Sequence, residues 1–141
     1  MIFARKPPRL TRLLIVEDEP LVAFDTERLL IEHGHQVVAT VDRVRDATRQ
    51  IARAAIDLVL VDVTLPDGSG TEVARAAHAK GVAVMFVTGS CPPEAPELAI
   101  GCLAKPYSQR ALLAAIRAVE AAVAGRKPGR LPAGFHLFPR D

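Results

Sequence analysis

Short, unbroken aliphatic runs alternate along the chain with longer stretches in which apolar residues recur every third or fourth position. Leu13-Leu14-Ile15-Val16, Leu58-Val59-Leu60-Val61 and Val82 to Val87 are too short for ordinary helices and rich in branched side chains. They predict strands buried on both faces of a parallel sheet. Gln36 to Val41 and Gly101 to Ala104 bring the strands to five. Between them, Val22, Leu29 and Leu30 repeat at helical spacing from Pro20 until Gly34. Val44, Ala47, Ile51 and Ala55 share one face, with Asp42 as cap. Thr71 to Lys80 reads as a small-residue helix stopped by Gly81. Leu112, Ile116, Val119 and Val123 line a last helix, with Ser108 as its cap and Gly125 just past its end. The interval Cys91 to Glu97 breaks this regularity, because Pro92, Pro93 and Pro96 leave room for only about one helical turn.

Five strand-helix repeats with right-handed crossovers predict a doubly wound α/β fold, a five-stranded parallel sheet with helices on both faces. The common flavodoxin-like order 2-1-3-4-5 puts the switch point between the first and third strands. Glu17 and Asp18 end the first strand, Asp62 the third, Thr88 the fourth and Lys105 the fifth. Polar groups from four strands therefore converge on the sheet edge where such folds bind ligands. Taken alone, Asp62 reads equally well as a turn-capping aspartate; the convergence is what favours a site.

Composition narrows the class. The chain has 141 residues, 50% hydrophobic and only 4% aromatic, enough for one domain packed by Ala, Val, Leu and Ile. No apolar run approaches the roughly eighteen residues of a membrane span, and the first residues lack a signal-peptide core, so a cytoplasmic protein is expected. Cys91 and Cys102 have no metal-ligand spacing and are read as reduced packing residues; the four histidines show no metal pattern. Residues 1–12 carry +4 and residues 125–141 carry +3, which against a total of +2 leaves −5 on residues 13–124. The expected organisation is a basic extension over 1–12, a domain over 13–124 and a basic, Pro/Gly-rich tail over 125–141. Such tails read as soluble ends rather than nucleic-acid contacts.

Three carboxylates held together repel, which costs stability unless a cation joins them. A few oxygen ligands suit Mg²⁺, or Mn²⁺ in its place. A carboxylate can also accept a phosphoryl group, whose transfer asks mainly for in-line placement and charge neutralisation. The Lys105 ammonium and the Thr88 hydroxyl are suited to phosphoryl oxygens.

The blocks Leu-Leu-Ile-Val-Glu17-Asp18-Glu-Pro, Leu-Val-Leu-Val-Asp62-Val-Thr-Leu-Pro-Asp-Gly-Ser-Gly, Val-Thr88-Gly and Ala-Lys105-Pro106-Tyr107 resemble, in order, the signatures of the receiver domain of two-component response regulators. The resemblance implies that Asp62 takes a phosphoryl group from a histidine kinase or a histidine phosphotransfer protein. It implies Mg²⁺ ligation by Asp18, Asp62 and the main-chain carbonyl of Thr64, with Glu17 acting largely through water. Thr88 and Lys105 would hold phosphoryl oxygens, Pro66 and Pro106 would shape the two loops, and the Lys105-Pro106 bond would be cis. Two features depart from the pattern. The Thr88-to-Lys105 spacing of 17 is short, and Cys102 stands where an aromatic reporter of phosphorylation is usual. Phe86-Val-Thr88-Gly89 with a shortened fourth helix resembles the FATGUY-type single-domain receivers associated with HWE-type histidine kinases, although Ser90 replaces their aromatic residue.

Other signals carry bland readings. Val73 breaks a dinucleotide fingerprint at Gly68-Ser69-Gly70, and Cys91 and Tyr107 read as packing or partner-facing residues. The expected function is a single-domain response regulator that signals by contact with a downstream protein target, by passing the phosphoryl group on, or as a phosphate sink. Segment 92–96 and the fifth-strand face are where partner contact is expected to change, and that face is expected to be locally mobile. A weak homodimer is compatible with this reading. A phosphatase of similar topology is the rival, weakened because Thr64 stands where a second acid would be needed and no cap domain fits. A phosphorylation-independent scaffold is the third reading, weakened by the presence of Asp18, Asp62, Thr88 and Lys105.

Overall fold

The computed structural model describes residues 10–139. The chain runs through β1 (Arg12–Val16), α1 (Pro20–Glu32), β2 (Gln36–Val41), α2 (Val44–Arg53) and β3 (Leu58–Val61). A small hairpin follows, β4 (Thr64–Leu65) and β5 (Gly68–Ser69), then α3 (Gly70–Ala79), β6 (Ala83–Thr88) and α4 (Ala95–Leu98). The described chain closes with β7 (Gly101–Ala104), α5 (Gln109–Val123) and β8 (Phe135–Leu137). The main sheet has the order β2-β1-β3-β6-β7-β8. Its first five strands are parallel, in the predicted 2-1-3-4-5 arrangement.

The aliphatic runs sort themselves by alternation, since successive side chains on a strand face opposite sides. Leu13, Ile15, Leu58, Leu60, Met85, Val87 and Leu103 pack with Leu29, Leu30, Leu112, Ile116 and Val119 from α1 and α5. Leu14, Val16, Val59, Val61, Val84, Phe86 and Cys102 pack with Ala47, Ile51, Val73, Ala74, Ala77 and Ala95 from α2, α3 and α4. Both faces are covered, which is why the runs contain no polar residue.

Three expectations are corrected. The five parallel strands stand as expected, but among the described residues the sheet gains a sixth strand, because β8 pairs antiparallel with β7. Part of the segment expected to be a tail is thus a strand, with Phe135 buried against Leu103 and the α5 core, and it covers the outer edge of the fifth parallel strand. Second, α2 has Arg43 rather than Asp42 at its cap, with no capping bond from that side chain. The Asp67 carboxylate serves instead, accepting from the Val44 and Arg45 amides at 2.7 and 3.0 Å. Third, Cys91 and Cys102 are joined in a disulfide rather than reduced, because the short β6-to-β7 connection brings their Cα atoms to 6.3 Å. The expectations for residues 1–9, Arg140 and Asp141 concern positions outside the described residues.

Other local readings agree with the structure. Pro20 opens α1, Ser108 caps α5 by accepting from the Ala111 amide at 3.0 Å, and α4 is a single turn. Among the described residues, no helix is long and apolar enough to cross a membrane.

Candidate functional site

Glu17, Asp62, Thr88 and Lys105 converge because each lies at or one step past the end of a strand while ladder bonds still hold its main chain, and Asp18 follows Glu17 directly. The Glu17 amide donates to Val41 O at 2.9 Å, the Asp62 amide to Val16 O at 3.1 Å, and the Lys105 amide to Thr88 O at 2.9 Å. Thr88 is the last residue of β6. The sheet therefore sets the positions of these side chains, not a flexible loop.

A second constraint acts at Asp62. Gly70 opens α3 against the Asp62 main chain, and a Cβ there would overlap the Asp62 carbonyl oxygen and lie 2.8 Å from the carbonyl carbon. The Gly70 amide donates to Val63 O at 2.7 Å. This close approach accounts for the last glycine of the Gly-Ser-Gly sequence. Ser69 and Glu72 form a capping box at the start of α3, Glu72 Oε2 accepting from the Ser69 amide at 3.1 Å.

Glu17, Asp62 and Thr88 are buried, Asp18 is intermediate and Thr64 is exposed. Lys105 Nζ donates to Glu17 Oε1 at 2.7 Å and to Asp62 Oδ2 at 2.8 Å, and lies 3.9 Å from Glu19 Oε2. The other Asp62 oxygen accepts from the Thr64 amide at 3.2 Å, and Glu17 Oε2 accepts from the Glu19 amide at 3.1 Å. Burial pushes the Glu17 carboxyl above its usual range despite the opposing hydrogen bonds from Lys105 and Glu19. Burial also works against the Lys105 charge, but its bonds to Asp62 and Glu17 outweigh that cost and raise its pKa.

One carboxylate oxygen from each of Glu17, Asp18 and Asp62 falls within 4.8 Å of the others, a spacing that a small cation can bridge. The donors are oxygens only and few, which fits Mg²⁺ rather than a thiolate- or imidazole-seeking metal. A cleft of about 680 Å³ opens over the group, lined among others by Asp18, Asp62, Thr88, Cys91, Pro92 and Lys105. Nearby, the Tyr107 ring is turned inward and hydrogen-bonds with Thr26; burial raises its phenol pKa. Tyr107 is thus a packing residue. Sequence reasoning assigned no place in the site to Glu19 or Gly70. The acidic run around Asp18 flagged the first, whereas the second becomes apparent only once α3 is seated on β3.

Residues 13–117 match the response regulator receiver domain. The chain belongs to that family. The Sensory transduction protein RegX3 of Mycobacterium tuberculosis (strain ATCC 25618 / H37Rv) is 38% identical over 116 residues, covering 78% of this chain and 51% of that protein. The chain thus spans about half the length of the curated relatives it matches. A CheY-like receiver domain protein from Methanospirillum hungatei JF-1 superposes with a TM-score of 0.74 at 26% identity, over 82% of this chain and 98% of that one. The receiver domain of sensor histidine kinase PA1611 from Pseudomonas aeruginosa PAO1 shares the fold with a TM-score of 0.68 at 24% identity, over 79% and 98%. That structure has a magnesium ion coordinated in its active site cleft. The receiver domain family is a phosphoacceptor switch of two-component signalling, generally not a classical enzyme. The Lys105-Pro106 peptide is cis, as the resemblance implied.

Proposed function

We propose that this chain is the receiver of a response regulator, its Asp62 accepting a phosphoryl group from a histidine kinase or a histidine phosphotransfer protein. The observation that carries the reading is the meeting of Lys105 Nζ with both Glu17 and Asp62 at the carboxyl edge of the sheet. A half-buried lysine held between two carboxylates neutralises them in the resting protein and is already within reach of any anion attached to Asp62.

In the forward step an Asp62 carboxylate oxygen attacks the phosphorus of phosphohistidine. The new O–P bond forms as the N–P bond breaks, and the electron pair returns to the imidazole. The Lys105 ammonium leaves Asp62 for a phosphoryl oxygen, and the Thr88 hydroxyl donates to a second. Glu17, Asp18, Asp62 and the Thr64 carbonyl would hold Mg²⁺, or Mn²⁺, which when bound neutralises the remaining phosphoryl charge. Water attack on the phosphorus later regenerates the carboxylate and releases inorganic phosphate. Because Lys105 and Thr88 contact the phosphoryl group only in the modified protein, phosphorylation shifts a two-state equilibrium.

The single-turn α4 and Phe86-Val-Thr88-Gly89 support kinship with FATGUY-type receivers, and hence an HWE-type kinase as donor. Leu21, Phe24 and Ile31 stand 79%, 55% and 55% exposed on α1, which starts beside Glu17 and Asp18 and supplies an apolar face for that donor. In this reading the protein is cytoplasmic, its switch spans residues 13–124, and its output is contact with a target protein or phosphate transfer.

Intact-mass spectrometry after incubation with Mg²⁺ and acetyl phosphate tests the proposal. One phosphoryl group on the wild type, absent with EDTA and in Asp62→Asn, is expected. An unchanged mass with acetyl phosphate and with a phosphorylated kinase domain would point to the unphosphorylated scaffold.

A further inference from the structure

We propose that Cys91 and Cys102 form a thiol–disulfide exchange site that sets how readily Asp62 is phosphorylated. The coupling rests on the phosphoacceptor reading; the exchange site itself does not.

Both cysteines of the chain are used, and their placement is asymmetric. Cys102 is 0% exposed in the middle of β7, in register with Phe86 of β6 on one side and His136 of β8 on the other. Cys91 is exposed, in the segment that leaves β6, and lines the same cleft as Asp62 and Lys105. The position of each relative to the site is symmetric. Thr88 precedes Cys91 by three residues, and Lys105 follows Cys102 by three. The disulfide therefore ties together the two strand ends that carry the proposed phosphoryl-binding side chains, and encloses Pro92, Pro93 and α4 between them.

The burial difference dictates the chemistry. An incoming thiolate can reach only the Cys91 sulfur, so it forms a mixed disulfide there and expels Cys102 as a thiolate, which takes up a proton. The second thiol of a dithiol reductant then attacks its own sulfur in the mixed disulfide, releasing Cys91. Two electrons and two protons pass to the protein, and the reductant leaves as a disulfide. Oxidation by a low-molecular-weight disulfide runs the same steps backwards. In a thiol-reducing compartment, a disulfide reachable at one sulfur is a sensing device rather than a permanent staple.

The consequence for the site follows from the tether. In the proposal, the Thr88 hydroxyl and the Lys105 ammonium close on the phosphoryl group from the two strand ends that the disulfide joins, and the segment after Thr88 moves with them. The bond to the buried centre of β7 restrains that segment, and reduction frees it. The oxidised form is therefore the slower acceptor.

The wild-type protein, equilibrated with oxidised glutathione or with dithiothreitol and alkylated after denaturation, reports the exchange directly. No alkyl group is expected on the oxidised form and two on the reduced form. Both forms are then incubated with Mg²⁺ and acetyl phosphate, and mass spectrometry follows the label. Faster labelling of the reduced form is expected, with a Cys91→Ser/Cys102→Ala double variant insensitive to redox state; the wild-type comparison stands even if that variant fails to fold. Alkylation of both cysteines after glutathione disulfide treatment would overturn the exchange site, and equal labelling rates would overturn the coupling. No label on either form, from acetyl phosphate or from a phosphorylated histidine kinase domain, would remove the phosphoacceptor reading and the coupling with it, while the thiol measurement still decides the exchange site.

Discussion

The α-carbon of Gly70 is pressed against the main chain of Asp62, so the first residue of α3 and the proposed phosphoacceptor are positioned by one contact. Replacing glycine by alanine at a permissive helical position ordinarily stabilises by about 0.4–1 kcal/mol. Here the added methyl has backbone for a neighbour. Gly70→Ala is expected to cost roughly 1–3 kcal/mol, in the manner of an overpacked core, and to slow phosphoryl uptake by displacing Asp62. Urea denaturation measures the first effect, and a stabilised variant would show that the contact is easily relieved.

The carboxylate cluster makes a prediction that needs no phosphorylation. If Glu17, Asp18 and Asp62 hold Mg²⁺, the folded state binds the ion and the unfolded state does not. A concentration one hundred times the dissociation constant then adds about 2.7 kcal/mol. The thermal midpoint of the wild type should rise with added Mg²⁺, and that of Asp18→Asn should not. An equal rise in both would place the ion elsewhere.

β8 is expected to be a structural part of the domain. Phe135 is 5% exposed and lies over Gly101, where a Cβ would meet its ring at 2.7 Å. Phe135→Ala should cost about 3 kcal/mol and open the 125–134 segment to limited proteolysis. A loss near zero would mean that β8 is dispensable for stability.

The α2 cap predicts an acid limb. Asp67 is held below its ordinary value, chiefly by the Arg45 amide and with help from the Val44 amide. A depressed carboxylate contributes stability that is complete above its unfolded value, 3.8, and is lost as pH falls through the lower folded value. Stability measured between about pH 5 and 2 should therefore fall less steeply in Asp67→Ala than in the wild type. Parallel curves would refute the assignment.

The parallel sheet and the gathering of polar residues at its edge were legible in the sequence for a common reason. Strands buried on both faces are unbroken aliphatic runs, and the polar residue that ends each run is the one carried to the functional edge. What escaped depended on contacts between distant segments. Phe135-His136-Leu137 is too short to show a period, and pairing at a sheet edge needs no turn signal beside it. Asp67 caps a helix 22 or 23 residues earlier in the chain, beyond any local capping pattern. The Cys91–Cys102 bond lay hidden because nothing in an eleven-residue separation says that the crossover folds back so tightly.

The central claim is that Asp62 carries the phosphoryl group, and borohydride trapping tests it most directly. Reduction of an aspartyl phosphate yields homoserine at the modified position, which peptide mass spectrometry locates. The account predicts homoserine at residue 62 after incubation with Mg²⁺ and a phosphoryl donor, and none after EDTA. Homoserine at Asp18 instead, or reduction at no carboxylate with a phosphorylated histidine kinase as donor, would contradict it.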